Sequence, residues 1–391
     1  MKKALVNGKV ITPSRVLDGA AVVVENGKIC EVSEDGRIPS GCEVTDCKGL
    51  YVSPGFIDMH LHGGGGYDFM DGTPEAVEGA AKAHMMHGTT SLVPTTLTCP
   101  DEDLFGFFDC YSEVKKKMKD GPDLLGIHLE GPYFSMEQKG AQDPAYLKKP
   151  SPEHYMKILE YCSDIVRISA APELEGSLEL GRELVRRGIL AAVGHSDACY
   201  QELVPAYECG FTHVTHLYSG MSTIHRRNAY RYLGVVETAY LLDGMTVEII
   251  ADGKHLPKEL LKLIVKTKSN DRISLITDSS RGAGMPEGSE ILLGSLKYGQ
   301  KCFIENGVAV MPDRTSFAGS VCTSDRCVRT MHKTVGLPIE EAVAMMTVNP
   351  AEVMNIADCK GRLVRGFDAD INIFDDDINI KHVMVGGEFR F

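Results

Sequence analysis

The chain lacks the features that would place it in a membrane or on nucleic acid. No apolar run approaches the roughly 20 residues of a transmembrane helix. Two lysines open the chain, but Asn7, Gly8 and Lys9 end the first apolar run too early for a signal peptide. With 41 basic and 54 acidic residues the formal net charge is −13, so no basic face is available to neutralise phosphates of nucleic acid or anionic lipid. A small anionic substrate needs only one or two local cations and remains compatible with this charge.

Paired cysteines are also missing. The 12 cysteines are dispersed, and none belongs to a CxxC pair or a zinc-ribbon spacing. In a chain without an export signal such cysteines are typically reduced and half-buried. We therefore expect a cytoplasmic globular protein with neither nucleic acid nor a membrane as its partner.

The two ends of the chain resemble each other. Both consist of short β-branched runs separated by turn signals such as Asn-Gly, Asp-Gly and Gly-Gly. Neither end has enough strands to bury a core alone, and chain termini often lie close together. We predict one small β-sandwich domain built from residues 1–53 and 356–391, with the large domain inserted between them.

The middle of the chain, residues 54–355, alternates strand-like and helix-like segments. The eight candidate strands are residues 55–60, 90–94, 124–130, 165–170, 190–195, 212–216, 246–251 and 273–278. Such alternation predicts a parallel sheet, and eight repeats predict a closed one. The predicted fold class is therefore α/β, a (β/α)8 TIM barrel that carries the small β-sandwich domain. Residues 292–311 predict an additional hairpin.

Five of the eight predicted strands end in residue types that bind metal ions. These residues are His60, His62, Glu130, His195, His216 and Asp278. Taken singly, each histidine could be a hydrogen-bonded core residue, and Glu130 could form a salt bridge or cap a helix. Together, at the strand ends that form the mouth of a barrel, they favour a metal site. This pattern is typical of a metal-dependent hydrolase.

Several motifs resemble those of a known family. Pro54-Gly55-Phe56-Ile57-Asp58-Met59-His60-Leu61-His62 resembles the first-strand signature of the amidohydrolase superfamily. Five further motifs resemble those of the N-acetylglucosamine-6-phosphate deacetylase family: Glu130-Gly131-Pro132, Gly194-His195-Ser196, Thr215-His216-Leu217, Asp252-Gly253-Lys254-His255 and Thr277-Asp278. The resemblance covers nearly the whole chain, including its split β-domain.

The resemblance implies a cofactor and a division of roles. One metal ion would be held by Glu130, His195 and His216. A second would be held by His60 and His62 together with Glu130, and Asp278 would be the catalytic acid/base. We expect one or two divalent ions per chain, with zinc first and iron, manganese or cobalt as alternatives, since histidine and glutamate accept all of them.

The resemblance also implies a set of substrate contacts. They are Gln142, Ser219, Gly220, Arg227, His255 and Phe317. Arg227 would contact the phosphate group of a substrate, either in its own subunit or in the neighbouring subunit of a homodimer. His255 would contact the sugar. The chain departs from the family around the substrate: Gln142 replaces a histidine that assists the carbonyl, Ser219-Gly220 replaces Asn-Ala, and Phe317 replaces a leucine.

The sequence therefore predicts an enzyme that hydrolyses the N-acetyl group of N-acetylglucosamine-6-phosphate, giving glucosamine-6-phosphate and acetate. The altered substrate residues keep other N-acyl substrates open: N-acetylgalactosamine-6-phosphate, an unphosphorylated amino sugar or an N-acyl amino acid. A non-catalytic sugar-binding protein on the same barrel is the alternative from another class.

Overall fold

The two ends of the chain share one β-sheet. The computed structural model describes residues 2–391. Its eight-stranded mixed sheet has the order Glu388–Phe389, Ile380–Val385, Ile371–Phe374, Tyr51–Pro54, Lys3–Ile11, Val16–Glu25, Lys28–Ser33, with Glu43–Asp46 paired to Lys3–Ile11. Strands from both termini are thus hydrogen-bonded neighbours, since Tyr51–Pro54 pairs antiparallel with Ile371–Phe374.

Gly8 marks the point where the first strand changes partner. Residues 3–6 pair with Glu43–Asp46, whereas residues 9–10 pair with Tyr51–Pro54. A Cβ atom at Gly8 would lie only 2.6 Å from Cγ2 of Val52, so a side chain at this position would force the strands apart. Apolar residues of both termini, including Leu5 and Ile371, pack into one buried cluster on this sheet.

The middle of the chain forms parallel strands. They are Phe56–Leu61, Thr89–Pro94, Asp123–Leu124 continued by Ile127–Glu130, Ile165–Ala170, Leu190–Val193, Phe211–Val214, Thr246–Ile250 and Ile273–Ile276. Each pairs in parallel with the next along the chain. Beyond the last strand, the amide of Asp278 donates to the carbonyl oxygen of His60 at 2.9 Å, so the end of this strand lies against the first.

Helices connect each parallel strand to the next, and further helices follow the last parallel strand. They are Pro74–Met85, Asp101–Lys117, Pro152–Tyr161, Ser177–Arg187, Tyr200–Glu208, Val235–Leu241, Lys258–Thr267, Ser324–Arg329, Ile339–Ala344 and Val348–Val353. Two of them begin with proline after a capping hydroxyl, from Thr73 and Ser151, which accepts a backbone N–H of the first turn. Within residues 2–391, no helix combines the length and apolarity that a membrane crossing requires.

Small antiparallel elements are inserted among these repeats, the shortest being the strand pair Gly63–Gly64 and Tyr67–Asp68. The hairpin predicted over residues 292–311 is a three-stranded sheet, Glu290–Leu293, Gln300–Glu305 and Val308–Val310. The third strand was not predicted, because only the Asn306-Gly307 turn signalled a hairpin. A second, exposed hairpin consists of His225–Arg227 and Tyr230–Tyr232.

A buried lysine joins the terminal sheet to the parallel strands. Nζ of Lys360 lies 2.6 Å from Oδ2 of Asp123, 2.6 Å from Oδ2 of Asp370 and 3.2 Å from Oδ2 of Asp368. Asp123 begins the third parallel strand, whereas Asp370 immediately precedes a strand of the terminal sheet. Lys360 is only 8% exposed, so its charge neutralises carboxylates from both parts of the molecule.

We expect the Lys360→Met substitution to lower the free energy of unfolding by about 3 kcal/mol, because it leaves the buried Asp370 carboxylate without its cation. Urea unfolding monitored by circular dichroism measures this change. Lys149→Met is the control, since the ion pair of Lys149 with Glu175 is exposed on both sides and should contribute little. Equal stability of the two variants would contradict the role given to Lys360.

Candidate metal centre

Three of the predicted site residues occupy equivalent positions after their strands. His195, His216 and Asp278 each lie two residues beyond the end of a parallel strand. Their φ angles are 46°, 32° and 47°, in the left-handed region that residues other than glycine rarely adopt. Such strain persists only where the surrounding structure enforces it, and it is concentrated at functional sites. The repeated turn brings all three side chains to the same end of the sheet.

The four histidines converge on one carboxylate. Oε1 of Glu130 lies 3.0 Å from Nε2 of His216, 3.3 Å from Nε2 of His195 and 3.5 Å from Nε2 of His60. Oε2 of Glu130 lies 3.3 Å from Nε2 of His62. All five residues are buried, with at most 7% of their surface exposed. They form two overlapping groups whose ligand atoms lie within 4.8 Å of one another, and Glu130 belongs to both.

This donor set fits a divalent metal ion. Imidazole nitrogen and carboxylate oxygen are the ligands of catalytic zinc and related ions. Nδ1 of His195 is 2.9 Å from the carbonyl oxygen of Gln138, and Nδ1 of His60 is 3.2 Å from Oε2 of Glu248. These contacts engage Nδ1 and leave Nε2 of both rings as the potential ligand. Nε2 of His60 is buried without a hydrogen-bond partner, as expected for an atom that binds a metal.

The electrostatics of the centre favour an ionised Glu130. Burial opposes ionisation, but the neighbouring imidazoles, His60 first among them, hold the pKa of Glu130 well below its usual value. Burial likewise opposes protonation of His62, yet hydrogen bonds to Asp278 and Glu130 raise the pKa of His62 well above its usual value. A carboxylate that stays ionised in a buried site is a suitable ligand for a cation.

Asp278 lies beside the histidine cluster and lines the cavity above it. Its Oδ1 is 3.4 Å from Nε2 of His60 and 3.2 Å from Nε2 of His62. Burial raises the pKa of Asp278, but the charges of the neighbouring histidines, His60 first, bring it below the usual value for aspartate. The side chain is therefore a carboxylate that can accept a proton at the floor of the cavity.

A buried ion pair between Glu248 and Arg167 contacts the candidate metal ligands. Oε2 of Glu248 accepts the backbone N–H of His216 at 3.2 Å, and Oε1 is ion-paired with Arg167. Arg167 also donates to Oγ1 of Thr215 at 2.8 Å. Burial opposes ionisation of Glu248, but the Arg167 charge holds its pKa well below the usual value. Sequence reasoning missed both residues, although a charged residue in the middle of an apolar strand was the available signal.

Five of the six predicted substrate residues line one cavity of about 230 Å³ above the centre. They are Gln142, Ser219, Gly220, His255 and Phe317. Nδ1 of His255 is 2.8 Å from Oδ2 of Asp252, and its ring lies edge-on to Phe317 with 4.8 Å between the ring centres. Leu97 and Leu293 add apolar walls. The cavity therefore combines a polar floor with apolar sides, which suits a small polar molecule with an acyl group.

Arg227, the sixth predicted substrate residue, lies elsewhere. It sits on the exposed hairpin, with its guanidinium carbon 5.6 Å from the centre of the Tyr232 ring. Among residues 2–391, the side chains that line the cavity include no lysine or arginine. Arg281 does not line the cavity either, because its guanidinium group is bonded to Asp71 at 2.7 Å and to three backbone carbonyls.

Four histidines, a glutamate and an aspartate thus meet at the ends of parallel strands, beneath a cavity. This arrangement is that of a metal-dependent amidohydrolase. Residues 51–390 match the Amidohydrolase family, and residues 4–52 match the NagA composite domain. The chain belongs to the Amidohydrolase family and, within it, to the N-acetylglucosamine-6-phosphate deacetylases, as its full-length relatives show.

Three of these relatives illustrate the similarity. N-acetylglucosamine-6-phosphate deacetylase of Lysinibacillus sphaericus is 32% identical over 94% of this chain and 92% of its own length. N-acetylgalactosamine-6-phosphate deacetylase of Escherichia coli O157:H7 is 28% identical over 97% of each chain. A mutant N-acetyl-D-glucosamine-6-phosphate deacetylase from Mycobacterium smegmatis, solved in complex with N-acetyl-D-glucosamine-6-phosphate, is 30% identical. It superposes with a TM-score of 0.90 over 100% of this chain and 99% of its own.

Proposed function

We propose that the protein hydrolyses the N-acetyl group of N-acetylglucosamine-6-phosphate, giving glucosamine-6-phosphate and acetate. The observation that carries this proposal is the convergence of four histidines on Glu130, beside Asp278 and beneath the cavity. Relatives that this chain matches over 91% to 100% of their own length carry the name of this activity. A non-catalytic sugar-binding protein would not need a complete set of metal ligands with a proton-accepting carboxylate beside it.

The proposed cofactor is one or two divalent ions, with zinc as the first candidate. One would be held by Glu130, His195 and His216, and a second by Glu130 with His60 and His62. When bound, such an ion lowers the pKa of water toward about 7 and polarises an acyl carbonyl. Histidine and glutamate ligands also accept iron, manganese or cobalt, which is why the native metal must be measured.

Asp278 is the proposed acid/base. Its carboxylate accepts a proton from the water that adds to the acetamide carbonyl carbon, and it returns that proton to the nitrogen as the C–N bond breaks. An amide nitrogen leaves poorly unless it is protonated, so one residue that first accepts and then donates the proton serves both steps. His255 and Phe317 at the cavity wall, together with Ser219 and Gly220, would position the sugar.

We also propose the finer points of the architecture. Hydrogen bonds from Asp278 to His60 and from His62 to Ser279 support closure of residues 54–355 into a (β/α)8 barrel. The shared apolar cluster of both termini supports a separate β-sandwich domain of residues 1–53 and 356–391. The proposed location is the cytoplasm, which the 12 free thiols support.

The remaining proposal concerns the phosphate. We place Arg227 at the phosphate of a substrate bound to the neighbouring subunit of a homodimer, because the hairpin that carries it is exposed and, among residues 2–391, no lysine or arginine lines the cavity. Tyr230 on the same hairpin is 75% exposed, as expected for a residue available to a second copy.

We expect Arg227→Ala to raise the KM for the phosphorylated sugar about 10- to 100-fold, because the substitution removes one or two charge-assisted hydrogen bonds to the phosphate. The KM for the unphosphorylated sugar should be unchanged. Steady-state kinetics on both sugars measure this contrast, and Arg182→Ala, on an exposed helix face, is the control. An equal effect on both sugars would contradict a phosphate contact, and a monomer in analytical ultracentrifugation would contradict its origin in a second subunit.

The proposed substrate is tested by an assay of the metal-loaded protein on four sugars. They are N-acetylglucosamine-6-phosphate, N-acetylgalactosamine-6-phosphate and the two dephosphorylated forms. The galactosamine epimer is the second candidate, because Ser219 and Gly220 line the cavity where the family has Asn-Ala. We expect the highest kcat/KM for N-acetylglucosamine-6-phosphate. No turnover of either phosphorylated sugar would exclude the proposal, and a preference for the epimer would favour the second candidate.

A further inference from the structure

The side chain of Gln142 makes three hydrogen bonds within the protein. Its Nε2 donates to Oε2 of Glu130 at 2.9 Å. Its Oε1 accepts from the backbone N–H of Thr98 at 2.9 Å and from Oγ1 of Thr98 at 2.9 Å. The side chain is only 4% exposed, so it is held between the carboxylate and the loop that contains Thr98. A side chain that only binds the substrate would not need three hydrogen bonds to the protein itself.

The contact with Thr98 fixes which end of the amide faces Glu130. A backbone N–H can only donate, so the atom of Gln142 that meets it must be the oxygen. The nitrogen therefore faces Glu130, which as a carboxylate can only accept. Both partners of Gln142 thus require the same orientation of its amide, and the hydrogen bond to Glu130 is charge-assisted and directional.

That hydrogen bond acts on one particular oxygen. Oε2 of Glu130 receives Gln142 and faces His62, whereas Oε1 faces His195 and His216. Holding Oε2 therefore fixes the rotation of the carboxylate plane, and with it the direction in which Oε1 points. A carboxylate that belongs to both candidate ligand groups must keep this orientation to serve them.

The loop that carries Gln142, residues 135–142, also contacts a second candidate metal ligand, His195. The carbonyl oxygen of Gln138 lies 2.9 Å from Nδ1 of His195, and the N–H of Ser135 donates to the carbonyl oxygen of His195 at 2.9 Å. Residues 135–142 thus contact His195 at one end and Glu130 at the other. Gln300 of the inserted sheet donates to the carbonyl oxygen of Ala141 at 2.8 Å and ties the loop down.

We infer that Gln142 is a positioning residue that orients Glu130 for metal binding, and that this is its main contribution. This inference rests on the metal centre of the proposed function. It differs from the expectation that position 142 assists the substrate's carbonyl, because the amide oxygen is engaged by Thr98 and one N–H by Glu130. Partners of metal ligands typically contribute about 10- to 100-fold to metal affinity.

The test is the affinity of metal-stripped protein for zinc, measured by isothermal titration calorimetry. Gln142→Met keeps the length of the side chain but removes its donor and acceptor. We expect its zinc Kd to rise about 10- to 100-fold. At saturating zinc its KM should stay within about twofold of the wild type, a contrast that direct substrate binding would reverse. Gln201→Met, on an exposed helix, should bind zinc like the wild type.

A second variant separates the hydrogen bond from general damage. Gln142→Asn retains an amide N–H donor that does not compete for zinc as an imidazole would, and we expect it to recover part of the zinc affinity that Gln142→Met loses. Thermal unfolding of each zinc-free variant checks that the fold is retained. An unchanged zinc Kd in Gln142→Met, or a raised KM at saturating zinc, would overturn the inference. Because these titrations need no turnover, the inference can fail while the proposed deacetylase activity holds, and the reverse.

Discussion

Replacing Asp278 with asparagine is expected to lower kcat by about 10²- to 10⁴-fold, the usual contribution of one acid/base residue. Asparagine has nearly the same shape, but it cannot take up and return the proton that the leaving nitrogen needs. Asp278 is outside both candidate ligand groups, so the metal content should remain that of the wild type. Steady-state kinetics and elemental analysis on the same preparation measure the two quantities.

Asp376→Asn is the matched control for that substitution, because Asp376 pairs with Lys9 in an exposed ion pair on the terminal sheet. Its kcat should equal that of the wild type. If Asp278→Asn kept full activity, the assignment of Asp278 as acid/base would be wrong. If it lost its metal as well, Asp278 would be a ligand, and the proton would have to be carried by another group.

Replacing Glu130 with glutamine is expected to reduce the metal content below one ion per chain and to lower kcat/KM by at least about 10³-fold, since a metal ion contributes several kcal/mol to such reactions. Glu130 belongs to both candidate ligand groups. Glutamine removes the buried negative charge and leaves four histidines to share the site without a carboxylate.

Two further variants sharpen this experiment. His62→Asn removes a ligand from only one group, so it should retain the ion held by Glu130, His195 and His216. Glu160→Gln alters an exposed carboxylate on the helix Pro152–Tyr161 and should change neither quantity. Retention of the wild-type metal content by Glu130→Gln would contradict the placement of the metal centre.

The metal centre could be anticipated from sequence because its residues follow a positional rule. Parallel strands end at the same edge of a sheet, so His195, His216 and Asp278, each just beyond an apolar run, had to approach one another. The membership of the chain in the Amidohydrolase family, which the motif around His60 predicted, is confirmed. The roles of the individual residues stay predictions.

Other features depend on contacts that no local pattern encodes. The ion pair of Arg167 with Glu248 joins residues 81 positions apart, and each residue alone looks like an isolated charge in a strand. The orientation of Gln142 depends on Thr98, from a different loop. Sequence similarity placed Gln142 near the substrate, but only the three-dimensional arrangement shows that its amide is bonded to Glu130.

The most direct test of the account is acetate release from N-acetylglucosamine-6-phosphate by the metal-loaded protein, compared with the same protein after chelation. We expect stoichiometric formation of acetate and glucosamine-6-phosphate, loss of activity on chelation, and recovery when zinc, iron, manganese or cobalt is restored. Acetate release at an undiminished rate from the metal-stripped protein, or none from the loaded one, would contradict the account.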